Sequence, residues 1–280
     1  MSNRIDVKKT YKLFINGAFP RTESGRTYEI KSAKGVFIAN PCLASRKDLK
    51  DAVVAARAAQ SGWNKASAFN KGQILYRIAE MLEGRRAQFV DEIITVTGVT
   101  KVNAEKEVTD SVDRLVWYAG WSDKLSSLSG ALNPVAGPYY NFTVPESMGV
   151  IAAIAPESPS LLGLIDAIAP IIVGGNTVIV LASTKAPLSA MSFAEVIATS
   201  DVPAGVINIL TGMKDEIAPW MASHMDIDGF DISGLAAKSH GEIRIAGAEN
   251  LKRIYSFKSA DPGRILAFLE NKTVWHPIGL

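Results

Sequence analysis

The chain has 280 residues, of which 48% are hydrophobic and 21% charged, enough for one large or two modest domains around a sizeable core. Thirty basic residues stand against 28 acidic ones, a net charge of +2, and no strong field or basic run points to nucleic acid or an anionic membrane. The single cysteine, Cys42, excludes an intrachain disulfide and fits a reducing, cytoplasmic compartment.

The N-terminal ten residues are polar, carry Arg4, Lys8 and Lys9, and have no apolar stretch behind them, so they do not read as a signal peptide. Residues 11–40 read as β-rich. Leu13-Phe14-Ile15 runs into an Asn16-Gly17 turn, and Gly35-Val36-Phe37-Ile38-Ala39 is a second apolar run. Residues 46–130 read as helical. Ser45 is placed to cap a helix carrying Leu49, Val53 and Val54. A second helix carries Ile74, Leu75, Ile78, Leu82 and Phe89. A third runs from about Glu105 through Val108, Val112 and Leu115 to Trp121.

From Pro134 the pattern changes. Residues 139–144 are aromatic and β-branched, as in a strand. Residues 149–155 form a continuous apolar run suited to a buried parallel strand. A helix over 161–173, a strand over 176–181, a helix over 190–198, a strand over 206–210 and a helix near 217–223 follow. The 161–181 stretch is long enough for a bilayer, but Asp166, Pro170 and Gly174-Gly175-Asn176 interrupt it. It reads as a buried helix, a tight turn and a buried strand. The alternation predicts an α/β fold with a doubly wound, parallel, Rossmann-like sheet. Lys272-Thr273-Val274-Trp275-His276 reads as a terminal strand that needs a partner sheet, in the same chain or another.

No G-x-G-x-x-G, Walker loop, H-E-x-x-H or C-x-x-C motif is present. Cys42 has no basic partner or helix start beside it in sequence and reads as structural. His224, His240 and His276 are scattered, without metal-ligand spacing. Ser158 follows the first sheet strand without a nucleophile elbow and reads as a helix cap. Glu157, at the same turn, is either a general base or, more commonly for such a position, a solvated loop carboxylate.

Several segments together resemble the aldehyde dehydrogenase superfamily over about the first 255 residues. They include Leu13-Phe14-Ile15-Asn16-Gly17, Leu75-Tyr76-Arg77-Ile78-Ala79 and Tyr118-Ala119-Gly120-Trp121-Ser122-Asp123-Lys124. The most specific are Gly175-Asn176-Thr177-Val178, Pro187-Leu188-Ser189-Ala190, the run from Pro203 to Gly212, and Asn250-Leu251-Lys252-Arg253. The resemblance implies an NAD(P)-binding α/β domain, a second domain with a cysteine nucleophile, and a small β-flap for oligomerisation. It divides the chain into a cofactor-binding-like domain at 1–129 and 148–260 with a flap at 130–147 and 268–280. The catalytic domain is expected to be absent, because soon after Arg253 the chain jumps to the family's C-terminal strand.

The departures from the family fall on its working residues. The turn that normally supplies an asparagine to the oxyanion reads Pro156-Glu157-Ser158. The ribose-contacting lysine is Leu181, and the nearby glutamate is Thr184. The Phe-Thr-Gly-Ser run reads Ile232-Ser233-Gly234-Leu235. The catalytic glutamate aligns with Phe257. A leucine cannot donate to ribose hydroxyls, and losing one charge-assisted bond costs about 1.5–3 kcal/mol. The expectation is no catalytic residue, no metal, and no or weak NAD(P) binding. Any remnant of the cofactor cleft would be lined by Glu157, Ser158, Ser183, Lys185, Gly212, Ser233 and Gly234. Lys185 reaching back in place of Leu181 is an alternative.

Three functions are compatible with this pattern. One is a pseudoenzyme, a non-catalytic subunit that forms a homo-oligomer or joins a full-length aldehyde dehydrogenase through the flap and C-terminal strand. Another is an NAD(P)-dependent aldehyde oxidoreductase whose catalytic domain comes from a partner. The third is a small-molecule binder using the old cofactor cleft. The lost domain is also expected to expose an apolar face near Ile227, Phe230 and Ile232.

Overall fold

The computed structural model describes residues 8–279; the reading of the first residues as no leader lies outside them. Residues 11–40 contain less strand than expected. Only β1 (Ile30–Lys31) and β2 (Phe37–Ala39) are strands, paired antiparallel. The Leu13-Phe14-Ile15 run instead lies on the edge of the main sheet. Phe14 N–H donates to Ile209 O at 3.0 Å, and Ile209 N–H donates back at 2.8 Å. Asn16 (φ 54°) and Gly17 (φ 72°) then form the expected tight turn, a left-handed pair that an Asn-Gly dipeptide supplies at least cost.

Helices follow. In α1 (Arg46–Lys65) Ser45 caps Asp48 N–H, and the Asp48 carboxylate accepts from Ser45 N–H at 2.7 Å, a complete capping box. The second expected helix is two. α2 (Ala68–Gly84) ends at Arg85, and Phe89 belongs to α3 (Arg86–Thr97). The apolar spacing runs through the break, so periodicity alone does not mark it. α4 (Lys101–Ala119) is capped by Thr100. α5 (Leu125–Ser129) and β3 (Ala131–Leu132) lead to β4 (Tyr139–Ser147).

The remaining elements build the sheet. They are β5 (Val150–Ile154), α6 (Ser160–Val173), β6 (Thr177–Leu181), α7 (Leu188–Ala198), β7 (Ile207–Leu210), α8 (Lys214–Ser223), β8 (Gly229–Asp231), α9 (His240–Ala248) and β9 (Arg253–Tyr255). Strands lie in the order β7-β6-β5-β8-β9, all parallel. β8 and β9 are three residues each and too short to give a sequence signal of their own. Every residue of β5, β6 and β7 is buried, because helices cover both faces. The long apolar stretch is α6, a Gly174-Gly175 turn and β6. No helix among the described residues is long and apolar enough to cross a membrane.

Two clusters sandwich the sheet. On one side Trp63, Leu75, Phe89, Leu115, Tyr118, Ile168 and Phe193 pack together. On the other lie Leu49, Val53, Ile217, Met221, Phe230 and Ile243. Trp63 Nε1 donates to Ile172 O at 2.8 Å, so the indole is buried without an orphaned donor.

The expected apolar face is not exposed. Ile227, Phe230 and Ile232 are each at most 2% exposed. Part of their cover comes from α8 and α9, which pack in the same cluster. Residues 256–268 form an ordered junction that includes α10 (Gly263–Leu266). Ile265 and Phe268 sit in the core, and Arg264 pairs with buried Asp231 at 2.8 Å. The C-terminal strand β10 (Leu269–Pro277) finds its partner in the same chain. It pairs antiparallel with β4 over nine residues, from Leu269↔Ser147 to Pro277↔Tyr139. Asn176 ties the pieces together. Its side chain accepts from Gly149 N–H at 2.8 Å and donates to Phe268 O at 2.9 Å.

Candidate functional site

In an open parallel sheet the strand order reverses on either side of its first strand, and the crevice at the carboxyl ends there is the usual ligand site. Here that place lies between β5 and β8. Glu157 follows β5, Ser183 and Lys185 follow β6, Gly212 and Lys214 follow β7, and Ser233 and Gly234 follow β8.

Four of the expected residues converge, and the group that gathers them is one the sequence reading missed. Glu157 is not a solvated loop carboxylate. Its Oε1 lies 2.7 Å from Lys214 Nζ, and its Oε2 accepts from Ser183 Oγ at 2.8 Å and Lys185 N–H at 3.0 Å. Lys214 Nζ also donates to Ala155 O at 2.7 Å and Gly234 O at 3.1 Å. One ammonium therefore bridges the turn after β5 and the loop after β8. Its side chain is only 10% exposed. Burial pushes the Glu157 carboxyl up, but Lys214, Lys185 N–H and Ser183 together hold it below the usual range. Burial lowers Lys214 despite the carboxylate beside it. Gly234 is packed against β5, and a Cβ there would lie 2.3 Å from Ala155 O.

The other three expected residues do different things. Gly212 accepts from Thr184 Oγ1 at 2.8 Å through its carbonyl, which closes the β6 and β7 turns on each other. Ser233 is engaged by other partners; its N–H donates to Asp231 Oδ1 at 2.9 Å and its Oγ accepts from Phe257 N–H at 2.8 Å. Ser158 is exposed and caps nothing, since the residue before α6 is Pro159, without a side-chain cap. Leu181 is fully buried inside β6. Lys185 does not reach back to replace it: the Lys185 side chain is exposed and its backbone N–H is what holds Glu157.

Cys42 is 4% exposed and its backbone is held by Tyr11 O and Thr211 Oγ1. No group of three or more His, Cys, Asp or Glu side chains among the described residues is placed to hold a metal ion. Beside Lys214 a shallow cleft of about 340 Å³ opens between α8 and α9, lined by Ala218, Leu235, Lys238 and Ile243 among others.

A parallel sheet with these turns and loops has a known counterpart, because the aldehyde dehydrogenase family pattern matches residues 20–256. The chain belongs to the aldehyde dehydrogenase family. It is 33% identical to retinal dehydrogenase 2 of Gallus gallus over 255 residues, covering 89% of this chain and 48% of that protein. It is 31% identical to the cytosolic 10-formyltetrahydrofolate dehydrogenase of Xenopus tropicalis, covering 90% of this chain and 28% of that protein. Among solved structures, an aldehyde dehydrogenase from Bacillus cereus in complex with NAD+ superposes with a TM-score of 0.82 at 25% identity, over 88% of this chain and 50% of that one. A putative aldehyde dehydrogenase from Burkholderia cenocepacia gives 0.83 at 27% identity, over the same shares. The chain thus spans about half or less of the relatives it matches, and their catalytic activities belong to longer proteins.

Two polar groups of this aldehyde dehydrogenase fold had no signal in the sequence. Lys214 opens α8 immediately after the β7 turn, a position where side chains face the crevice; only its place after a strand could have found it. Asp231 and Arg264 are 33 residues apart, and their pairing depends on the junction folding back.

Proposed function

We propose that this chain is a non-catalytic member of the aldehyde dehydrogenase family that acts as an assembly subunit. It joins a second copy or a full-length aldehyde dehydrogenase through β10 and β4, and it binds NAD(P) weakly or not at all. The observation that carries this reading is the Glu157–Lys214 ion pair across the carboxyl ends of the strands. Polar groups that would meet a dinucleotide are spent on each other there. Separating them would take the charged partner from a half-buried carboxylate and from a largely buried ammonium, which works against opening the site to a ligand.

The side chains present do not fit the cofactor. Leu181 offers no donor, Gly234 lies flush on β5, and the Lys214 ammonium fills the space between the two loops. The chemistry of oxidation is also unsupported from within the chain. A thiohemiacetal needs a thiolate, and Cys42 is the one cysteine, buried in the loop before α1. The paired nine-residue strands argue for a role in assembly. They carry exposed Tyr139, Tyr140, Val274 and Trp275 outside the main core.

Calorimetric titration of the full chain with NAD+ and NADP+ tests the cofactor half of the proposal. No binding at micromolar concentrations is expected; a micromolar dissociation constant for either would overturn it. Native mass spectrometry of the tagged chain recovered from its host tests the other half. A homo-oligomer or a stoichiometric full-length aldehyde dehydrogenase is expected, and a lone monomer would overturn it.

A further inference from the structure

A second cleft, of about 740 Å³, lies between the first turns of α1 and the end of α8. It shares no lining residue with the Glu157–Lys214 site. Lys214 and Ser223 bound α8, so the helix carries the two sites about 13 Å apart along its axis.

The lining chemistry is one-sided. Arg46, Lys47 and Lys50 enter from α1, and His224 from the end of α8; Glu23 is the single carboxylate among the lining residues. Lys47 leans toward Asp51 at 3.7 Å. Arg46 and Lys50 form no ion pair among the described residues. The cleft therefore carries an excess of positive charge, with Glu23 the one carboxylate among the lining residues to offset it. Leu49, Trp220 and Met225 form the apolar part of the same wall, and Met225 is 79% exposed.

His224 lies within the same field. Burial lowers its pKa first. Asp226 opposes that, and Lys252, Arg46 and Lys50 lower it further. Its Nδ1 accepts from Asp226 N–H at 3.2 Å, which suits the neutral ring. Asp226 is itself engaged by Arg57 Nε at 2.7 Å. Lys252 Nζ is turned inward onto His224 O. The groups left to meet a ligand are Arg46, Lys50 and the free edge of His224.

We propose that the cleft between α1 and α8 is a binding site for a phosphate-bearing, nucleotide-class molecule, with Arg46, Lys50 and His224 on the phosphates and Trp220 on the ring. Several cations lining one cleft favour a multiply charged anion, because each charge-assisted bond is about twice as strong as a neutral one. An indole beside them favours a flat aromatic group over a bare ion. The volume suits a ligand of that size. This site does not depend on the assembly reading.

ATP and inorganic pyrophosphate are the probes. The full chain is titrated with each at low salt, with the His224 ring nitrogens followed by NMR and assigned with His224→Gln. ATP is expected to shift His224 and raise its midpoint by about half a unit or more, since a nearby anion favours the imidazolium. The Arg46→Gln/Lys50→Gln double variant should weaken ATP roughly tenfold or more, with an unchanged melting temperature because both side chains are exposed. Trp220→Leu should weaken ATP and leave pyrophosphate unchanged. An unmoved His224 at about 5 mM ATP, far above a useful affinity, would overturn the site, as would a double variant that binds like the parent. Pyrophosphate binding as tightly as ATP would overturn the nucleotide class.

Discussion

Glu157 and Lys214 meet at 2.7 Å although they follow different strands, β5 and β7, with β6 between them in the sheet. Lys214→Met leaves the carboxylate with Ser183 and the Lys185 N–H alone. Because Glu157 is about a third exposed, the loss is modest, roughly 1–2 kcal/mol. The folded carboxyl lies below its usual value of 4.5. The pair's stabilisation is therefore present above that value and lost as pH falls through the lowered one. Urea denaturation at neutral pH and near pH 3.5 should show the parent losing more stability on acidification than the variant does.

Arg264 closes the junction onto Asp231, and both side chains are at most 7% exposed. Arg264→Met removes one partner of a buried pair and should cost about 3–5 kcal/mol. Adding Asp231→Asn should recover part of it, because the remaining group is then neutral. Equilibrium denaturation of the single and double variants measures this. A single variant within about 0.5 kcal/mol of the parent would show that the ion pair does not hold the junction.

The capping box on α1 is a local device with a local cost. Ser45→Ala should destabilise the fold by about 1 kcal/mol. Asp48→Ala should cost more, because Asp48 also accepts from Thr22 Oγ1 at 2.6 Å and Glu23 N–H at 3.2 Å. Thermal melts of the two variants give the order.

Lys252 makes the alkaline side testable. Burial pushes its ammonium down to about 8 from the usual 10.5. Its Nζ is held by His224 O at 2.9 Å and by Ile227 O. A folded value below the unfolded one means that stability is greatest above 10.5 and falls as pH drops through 8. Between about pH 8 and 10.5 the unfolded chain binds the extra proton, so Lys252 contributes a positive slope. Lys252→Met should flatten that slope. Tyr11, pushed up to about 12, contributes the opposite sign once pH passes its ordinary value of 10.

The elements with strong local signals were legible from residues alone. The Asn16-Gly17 turn, the Ser45 cap and the buried runs at β5 and β6 each carry their cause within a few positions. So does the order of strand and helix that makes the sheet parallel. The same reading misjudged features whose cause is distant. Ser158 looks like a cap, but the helix starts after Pro159. Glu157 looks solvated, but a lysine more than 50 residues later covers it. Phe89 continues an apolar spacing across a break that only α3's own packing defines.

What the sequence determined by itself is the fold class and the family. Hydrophobic periodicity and turn chemistry are short-range, and the family's motifs survive in order. It also marks where this chain departs from the family pattern, with a leucine at 181 and a single cysteine at 42. Tertiary structure alone decided which partners the polar groups at the strand ends take. Buried charges must be paired wherever the chain brings them. Lys214 thus turns onto Glu157 and two carbonyls, Arg264 returns to Asp231, and Ile227, Phe230 and Ile232 are covered by their own chain. The two ion pairs join residues 57 and 33 positions apart, so no short window along the chain holds both halves of either.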